Sequence, residues 1–155
     1  SMKTNLLIGF AVVLVAIQFI RPARNVSSTP AFSGPHDITV LYPTPPGVKQ
    51  VLAAACYDCH SNQTRYPWYA NVQPVAWYLD HHIKEAKREL NFSEFGAYPT
   101  KRQVKKLQAM SDEVHDRAMP LKSYTLIHTD ARLTDAQAAA FSAWADQLAE
   151  RLGGD

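Results

Sequence analysis

The amino-acid sequence predicts an all-α fold, and three observations support that prediction. Helical patterns extend over residues 48–55, 74–90, 100–117 and 134–152. Two of these segments begin with a threonine that is followed three positions later by a glutamine, which is a signal for a helix start. No two neighbouring segments alternate apolar and polar residues as the strands of a hairpin do.

The composition is that of a folded domain. The chain has 155 residues, of which 46% are apolar and 19% are charged, so it can bury a core and wholesale disorder is excluded. Its 16 basic and 14 acidic side chains give a net charge of +2, and the basic excess lies in the first 46 residues. Nucleic-acid binding depends on neutralising phosphates, so we expect no nucleic-acid partner.

The first predicted element is an N-terminal membrane anchor at residues 1–20. Residues 6–20 contain no charge, and Gln18 is their only polar side chain. A helix of this length is short for a bilayer core of ~30 Å, so flanking residues would have to extend it. Arg21 and Arg24 stand where a signal peptidase requires small residues, which favours a retained anchor, or uncleaved signal, over a cleaved one.

Residues 21–47 are predicted to form a linker. They contain most of the chain's 10 prolines and show neither helical nor alternating periodicity. Proline removes backbone donors and favours extended conformations, so we expect a semi-rigid spacer between the anchor and a domain at residues 48–155.

The first helix of that domain is short and amphipathic. Val48, Val51, Leu52 and Ala55 lie on one face, and the helix leads directly into Cys56.

Residues 61–73 are rich in aromatic side chains and lack periodicity, so they are predicted to be irregular. Pro74 follows, in a position that the first turn of a helix tolerates, and a second helix is predicted to run to about Leu90.

Two capping boxes mark the last two helices. Thr100 and Gln103 are predicted to begin a helix that ends near residue 117, before a Met-Pro pair. Thr134 and Gln137 are predicted to begin the final helix. Its apolar stripe consists of Phe141, Trp144, Ala145, Leu148 and Leu152.

The most informative motif is CxxCH, at Cys56–His60. Two thiols at this spacing on a helical turn lie on one side, where they can add to the two vinyl groups of a haem and form thioethers. The adjacent His60 can then supply an axial imidazole to the iron. The motif therefore predicts one covalently attached haem c, held by Cys56, Cys59 and His60.

Two other chemistries use a CxxC pair. A thioredoxin-like redox pair belongs at a helix start after a strand, and no strand is predicted here. A zinc site needs two further close-spaced ligands, which the adjacent His81 and His82 could supply, but neighbouring histidines project in different directions. Haem attachment is the interpretation that the sequence favours.

The layout around the motif resembles that of a monohaem class I cytochrome c, in which a methionine on the loop before the last helix completes the coordination of the iron. More particularly, the chain is similar to the bacterial haem-binding domain family of small membrane-anchored c-type proteins. The similar segments are Cys56 to Tyr69, Asn91 to Phe95, Met119-Pro120 and Ser123 to Ala131. Leu121 departs from that pattern, which has a second proline after Met-Pro. The resemblance implies haem binding and c-type attachment.

Several residues are candidates for the sixth iron ligand. Met119 is favoured because it lies outside regular structure beside a rigid proline, and a thioether there can reach a metal. A histidine or an open position is the alternative. The other side chains considered are Met110, His81, His82, His115 and His128.

Further cofactor-binding candidates lie just after the motif. Trp68 and Tyr69 belong to an aromatic cluster that could cover the porphyrin and bond its propionates, or form ordinary core. Arg65 is the nearest candidate counter-charge for a propionate, although a surface role is equally compatible with the sequence. A basic patch could dock a redox partner or simply be solvated; it comprises Lys101, Arg102, Lys105 and Lys106.

The sequence predicts an electron carrier rather than an enzyme, with the haem domain on the periplasmic side of a bacterial inner membrane. The localisation follows from the compartment in which c-type haem is attached. Two alternatives remain: a haem-based sensor or peroxidase-like enzyme with an open distal position, and a haem-bearing structural subunit of a membrane complex. Distal ligation separates the first alternative from the carrier, since a fixed sulfur ligand favours electron transfer. The redox partner is not predicted.

Overall fold

The computed structural model describes residues 1–154, and within them all regular structure is helical. The α-helices are α1 (Met2–Ile17), α2 (Ile38–Leu41), α3 (Pro46–Ala55), α4 (Tyr57–His60), α5 (Val75–Glu89), α6 (Thr100–His115), α7 (Lys122–Ile127) and α8 (Asp135–Gly153). Short 3₁₀ segments lie at Trp68–Asn71, Phe92–Ala97 and Thr129–Ala131.

The largest helix–helix interface is between α6 and α8. The predicted apolar stripe of α8 is buried there, with Phe141 and Leu148 each 1% exposed, and Leu107 of α6 is fully buried. Helix α3 also packs on α8, and the single turn of α4 packs on α3 and α5. This arrangement places the CxxCH turn between α3 and α5.

The two predicted capping boxes have different outcomes. At α8 the capping box is present: the Gln137 backbone N–H donates to the Thr134 hydroxyl, and the Thr134 N–H donates to the Gln137 side chain. At α6 it is absent, because Thr100 is already inside the helix and Pro99 is the N-cap. The Gln103 amide instead donates to the Tyr98 carbonyl.

The predicted membrane anchor at residues 1–20 is wrong. Helix α1 covers 16 residues, and Gln18 caps its C-terminus, whereas a transmembrane helix needs about 20 apolar residues. Within residues 1–154, no helix combines the length and the apolarity needed to cross a membrane. None of the residues of α1 is buried.

Residues 21–45, which we call the strap, lie against the helical domain in the region where the sequence predicts a spacer. Asp37 and Ile38 within the strap are 1% and 0% exposed, and Ile38 belongs to the main hydrophobic core. The Trp144 indole N–H donates to the Pro43 carbonyl at 3.1 Å. A proline-rich segment can thus be integral to a fold when its other side chains are buried.

Candidate functional site

The CxxCH motif forms a tight turn directly after α3. Helix α3 ends at Ala55, and the backbone N–H groups of Cys59 and His60 both donate to the Cys56 carbonyl, at 3.2 and 3.0 Å. The two residues between the cysteines are buried and face the protein interior. Both cysteines and His60 are only partly buried, so the chemically active side chains are at the accessible side of the turn.

Buried and partly buried polar contacts hold the interior side of this turn. The Tyr57 hydroxyl donates to Asp37 of the strap at 2.9 Å. Asp58 accepts from the Arg65 guanidinium through both of its oxygens, at 3.1 and 3.0 Å, and from the Tyr124 hydroxyl at 2.9 Å. These charge-assisted contacts fix the turn to the loop that follows it and to α7.

His60 has one ring nitrogen occupied and one available. Its Nδ1 lies 3.0 Å from the Leu90 carbonyl oxygen, so Nδ1 carries the proton and donates to that acceptor. Burial lowers the pKa of His60, which keeps the ring neutral. A neutral imidazole with Nδ1–H bonded to a carbonyl presents the lone pair of Nε2, the form in which histidine binds a metal.

The two cysteines are free thiols rather than a disulfide. Burial raises the pKa of Cys56 to about 12 and that of Cys59 to about 11. Redox-active CxxC pairs need a lowered thiol pKa, so this environment disfavours thiol–disulfide chemistry. Residues 1–154 contain no group of three or more His, Cys, Asp or Glu side chains that could hold a metal ion.

Two adjacent cavities open beside the motif, with volumes of about 240 and 220 Å³. Ala55, His60, Glu89 and Met119 line both of them. We call the two together the His60 cleft. Cys56 lines the larger cavity only, and the other walls of that cavity come mainly from α6, with Phe141 of α8. Cys59 lines the smaller cavity only, beside α5 and the start of α7.

The candidates for the sixth ligand are distributed unequally around this cleft. Met119 lies against both cavities, whereas Met110 lines only the larger and His82 only the smaller. His82 Nδ1 is 3.0 Å from the Tyr78 carbonyl oxygen.

The three other histidines considered lie elsewhere. His81 and His115 are exposed, and the His128 Nε2 is bonded to the Tyr69 hydroxyl at 2.7 Å. None of the three lines the cleft.

The remaining predicted cofactor contacts are not part of the cleft lining. Arg65 is paired with Asp58, and Trp68 is 78% exposed. Tyr69 bonds His128 through its hydroxyl, so it supports α7 from outside the cleft.

Sequence reasoning missed three contributors to the cleft. From the sequence, Lys106 is assigned to a surface basic patch. In the structure it lines the cleft, whereas the other members of that patch do not. Glu89 lies at the end of α5 and lines both cavities. The Leu90 carbonyl that orients His60 has no sequence signal, because every residue has a carbonyl. The helical period of α6 could have separated Lys106 from Lys105, since adjacent helix positions face different directions.

The donor set of the cleft fits a haem. The free Nε2 of His60, the two thiols, the thioethers of Met119 and Met110 and the ring of His82 surround a space whose walls include Leu90, Phe92 and Phe141. A large planar apolar ligand with metal coordination at its centre suits such a lining. The fold and the site therefore define a helical haem-binding protein.

Comparison with protein families agrees with this. The family model for the haem-binding domain matches residues 12–147, which is most of the chain. The protein belongs to the haem-binding domain family. No curated protein and no solved structure gives a significant match.

Proposed function

We propose that the protein is a monohaem c-type cytochrome that carries electrons. In this proposal Cys56 and Cys59 hold the haem through thioethers, and His60 and Met119 are the two axial ligands. When bound, haem supplies one-electron oxidation and reduction at its iron. The protein supplies the ligands, the apolar walls and the orientation.

One observation carries the proposal: His60 and Met119 line both cavities, while each cavity contains one of the two cysteines. A flat cofactor that spans the cleft would contact both thiols along one edge, with the histidine and the methionine near its centre. No other pair of metal-ligating side chains considered has this shared position.

The surroundings of Met119 support it as the distal ligand. It lies between α6 and α7, outside regular structure, and its backbone N–H donates to the Glu113 carbonyl at 3.0 Å. A backbone contact of this kind positions the residue while leaving its thioether unconstrained. Methionine ligation would raise the reduction potential of the haem above that of a haem with two histidine ligands. It would also close the distal position, which suits outer-sphere electron transfer.

We propose an extracytoplasmic, periplasmic location for the haem domain, because thioether attachment of haem takes place there in bacteria. The electron partner would be a separate redox protein. A C-terminal alkaline phosphatase fusion would be active only if the domain is exported, and an inactive, stably produced fusion would overturn this location.

Covalent attachment is tested by intact-mass spectrometry after acid–acetone extraction. We expect the protein to retain the mass of one haem, and Cys56→Ala and Cys59→Ala together to abolish that retention. Complete extraction of haem from the wild type would contradict the c-type assignment.

Distal ligation is tested with Met119→Ala and two controls, Met110→Ala and His82→Ala, each of which removes a side chain from only one cavity. We expect only Met119→Ala to convert the low-spin optical spectrum to high-spin and to permit rapid carbon monoxide binding. A change with His82→Ala instead would identify a bis-histidine protein. Rapid carbon monoxide binding by the wild type would show an open distal position and favour a haem-based sensor or a peroxidase-like enzyme over an electron carrier.

A further inference from the structure

We propose that Lys106 binds a propionate carboxylate of the haem, and that the propionate replaces Glu89 as the partner of this lysine. This inference rests on the proposed placement of haem in the His60 cleft. It adds a binding residue that the motif does not contain, and it gives a different counter-charge from the Arg65 that the sequence predicts.

The charges around the cleft are unevenly distributed. Among its lining residues in the described chain, Lys106 is the single lysine or arginine, and the carboxylates are Glu85, Glu89 and Glu113. A haem carries two propionate carboxylates, and a carboxylate placed among other carboxylates without a cation is strongly disfavoured. The propionate that enters the larger cavity therefore needs Lys106.

The Lys106 side chain already lies against the cleft. It is 23% exposed, which is low for a lysine, so its aliphatic stem is packed along the cavity wall while the ammonium group reaches the edge. Its Nζ is 3.5 Å from a carboxylate oxygen of Glu89, and the Glu89 side chain is 72% exposed. An ion pair this long and this exposed contributes little to the stability of the protein. Replacing Glu89 by a propionate as the partner of Lys106 therefore costs little free energy.

Other nearby cations are engaged elsewhere. The Arg65 guanidinium donates to both oxygens of Asp58 and to the Ala53 carbonyl, and it lines neither cavity. The Lys87 ammonium donates to the Asn25 side-chain oxygen at 2.6 Å. Lys105 is adjacent to Lys106 on α6 but is exposed and lines a separate surface depression. Lys105 is therefore a matched control for the loss of one positive charge.

The test uses the full-length holoprotein and follows the propionate methylene protons by NMR as a function of pH. In the wild type we expect one propionate to titrate about one pH unit or more below the other, because a cation within 4–6 Å lowers a carboxyl pKa by about 1–3 units. Lys106→Gln should remove most of this difference. Lys106→Arg should retain it, and Lys105→Gln should leave it unchanged.

Two results would overturn the inference: equal titration of both propionates in the wild type, or equal effects of Lys106→Gln and Lys105→Gln. The first needs no variant and so does not depend on whether a variant folds. The outcome is separate from the proposed function, because the titration is read equally on covalent and extractable haem. Acid–acetone extraction and carbon monoxide binding report attachment and distal ligation independently.

Discussion

Helix α1 and the strap follow each other in the chain and relate to the domain in opposite ways. Helix α1 is almost wholly apolar, and none of its residues is buried. The strap is rich in proline, yet it contributes the fully buried Ile38 to the core. The comparison teaches that burial depends on specific contacts with the rest of the fold and does not follow from the composition of a segment.

The contacts of the strap are spread along its length. Near its start, the Asn25 side-chain amide donates to the Ser61 carbonyl and the Thr64 hydroxyl, both at 2.8 Å. In the middle, the Phe32 ring stacks on Tyr57 with a centroid distance of 4.0 Å. These contacts hold the strap beside the CxxCH turn.

The largest effect should come from deleting the strap. Removing residues 1–45 exposes the site of Ile38 in the core and leaves the Tyr57 hydroxyl and the Trp144 indole without their partners. We expect a loss of more than about 5 kcal/mol of unfolding free energy, which is most of the stability of a typical domain. Urea unfolding followed by circular dichroism measures it. A cooperative transition at the wild-type midpoint would show that the strap is dispensable.

Ile38→Ala should lower the free energy of unfolding by about 2–5 kcal/mol, because it leaves a cavity in a fully buried position. The control is Val40→Ala on the same short helix, where the side chain is 52% exposed. That variant should lie within about 0.5 kcal/mol of the wild type. Equal urea midpoints for the two variants would mean that α2 does not pack as described.

Asp37→Ala should lower the free energy of unfolding by about 1–3 kcal/mol. Its carboxylate accepts from the Tyr57 hydroxyl, the Thr39 hydroxyl and the Thr39 backbone N–H, and the substitution leaves the buried tyrosine hydroxyl unsatisfied. Combining it with Tyr57→Phe should cost less than the sum of the two single changes. Strict additivity in the double-mutant cycle would indicate that the two side chains do not interact.

Asn25→Ala should have a smaller effect, about 1 kcal/mol, since its hydrogen bonds are only partly buried. The expected signature is a faster amide hydrogen exchange near Thr64, whose backbone N–H donates to the Asn25 carbonyl. The neighbouring Arg24→Ala is the control, because that side chain is exposed. Identical exchange in both variants would contradict an anchoring role.

Deleting residues 1–17 should have the smallest effect and change the free energy of unfolding by no more than about 0.5 kcal/mol. Helix α1 buries no side chain, and the contacts of Gln18 and Ile20 with Gln73 remain in the shortened chain. The urea midpoint should therefore match that of the full-length protein. A large drop in the midpoint would show that α1 is as integral to the fold as the strap.

Sequence reasoning predicted the features that depend on local spacing. The final helix was predicted at residues 134–152 and is observed at Asp135–Gly153. The turn between Cys56 and His60 also follows from spacing alone. Burial of the strap and the position of Lys106 in the cleft depend on which distant segments meet, and a single sequence carries no record of such pairings. The anchor was predicted from apolarity, and the observed helix is too short to support it.

The acceptor for His60 is a main-chain carbonyl, that of Leu90 at the C-terminus of α5. Every amino acid at that position would present the same oxygen, so no point substitution there deletes the acceptor itself. Evolution can therefore vary the walls of the cleft, and with them the tuning of a bound cofactor, while the ring orientation persists. Only a change to the main chain, such as replacing the amide after Leu90 by an ester through chemical synthesis, would weaken this acceptor directly.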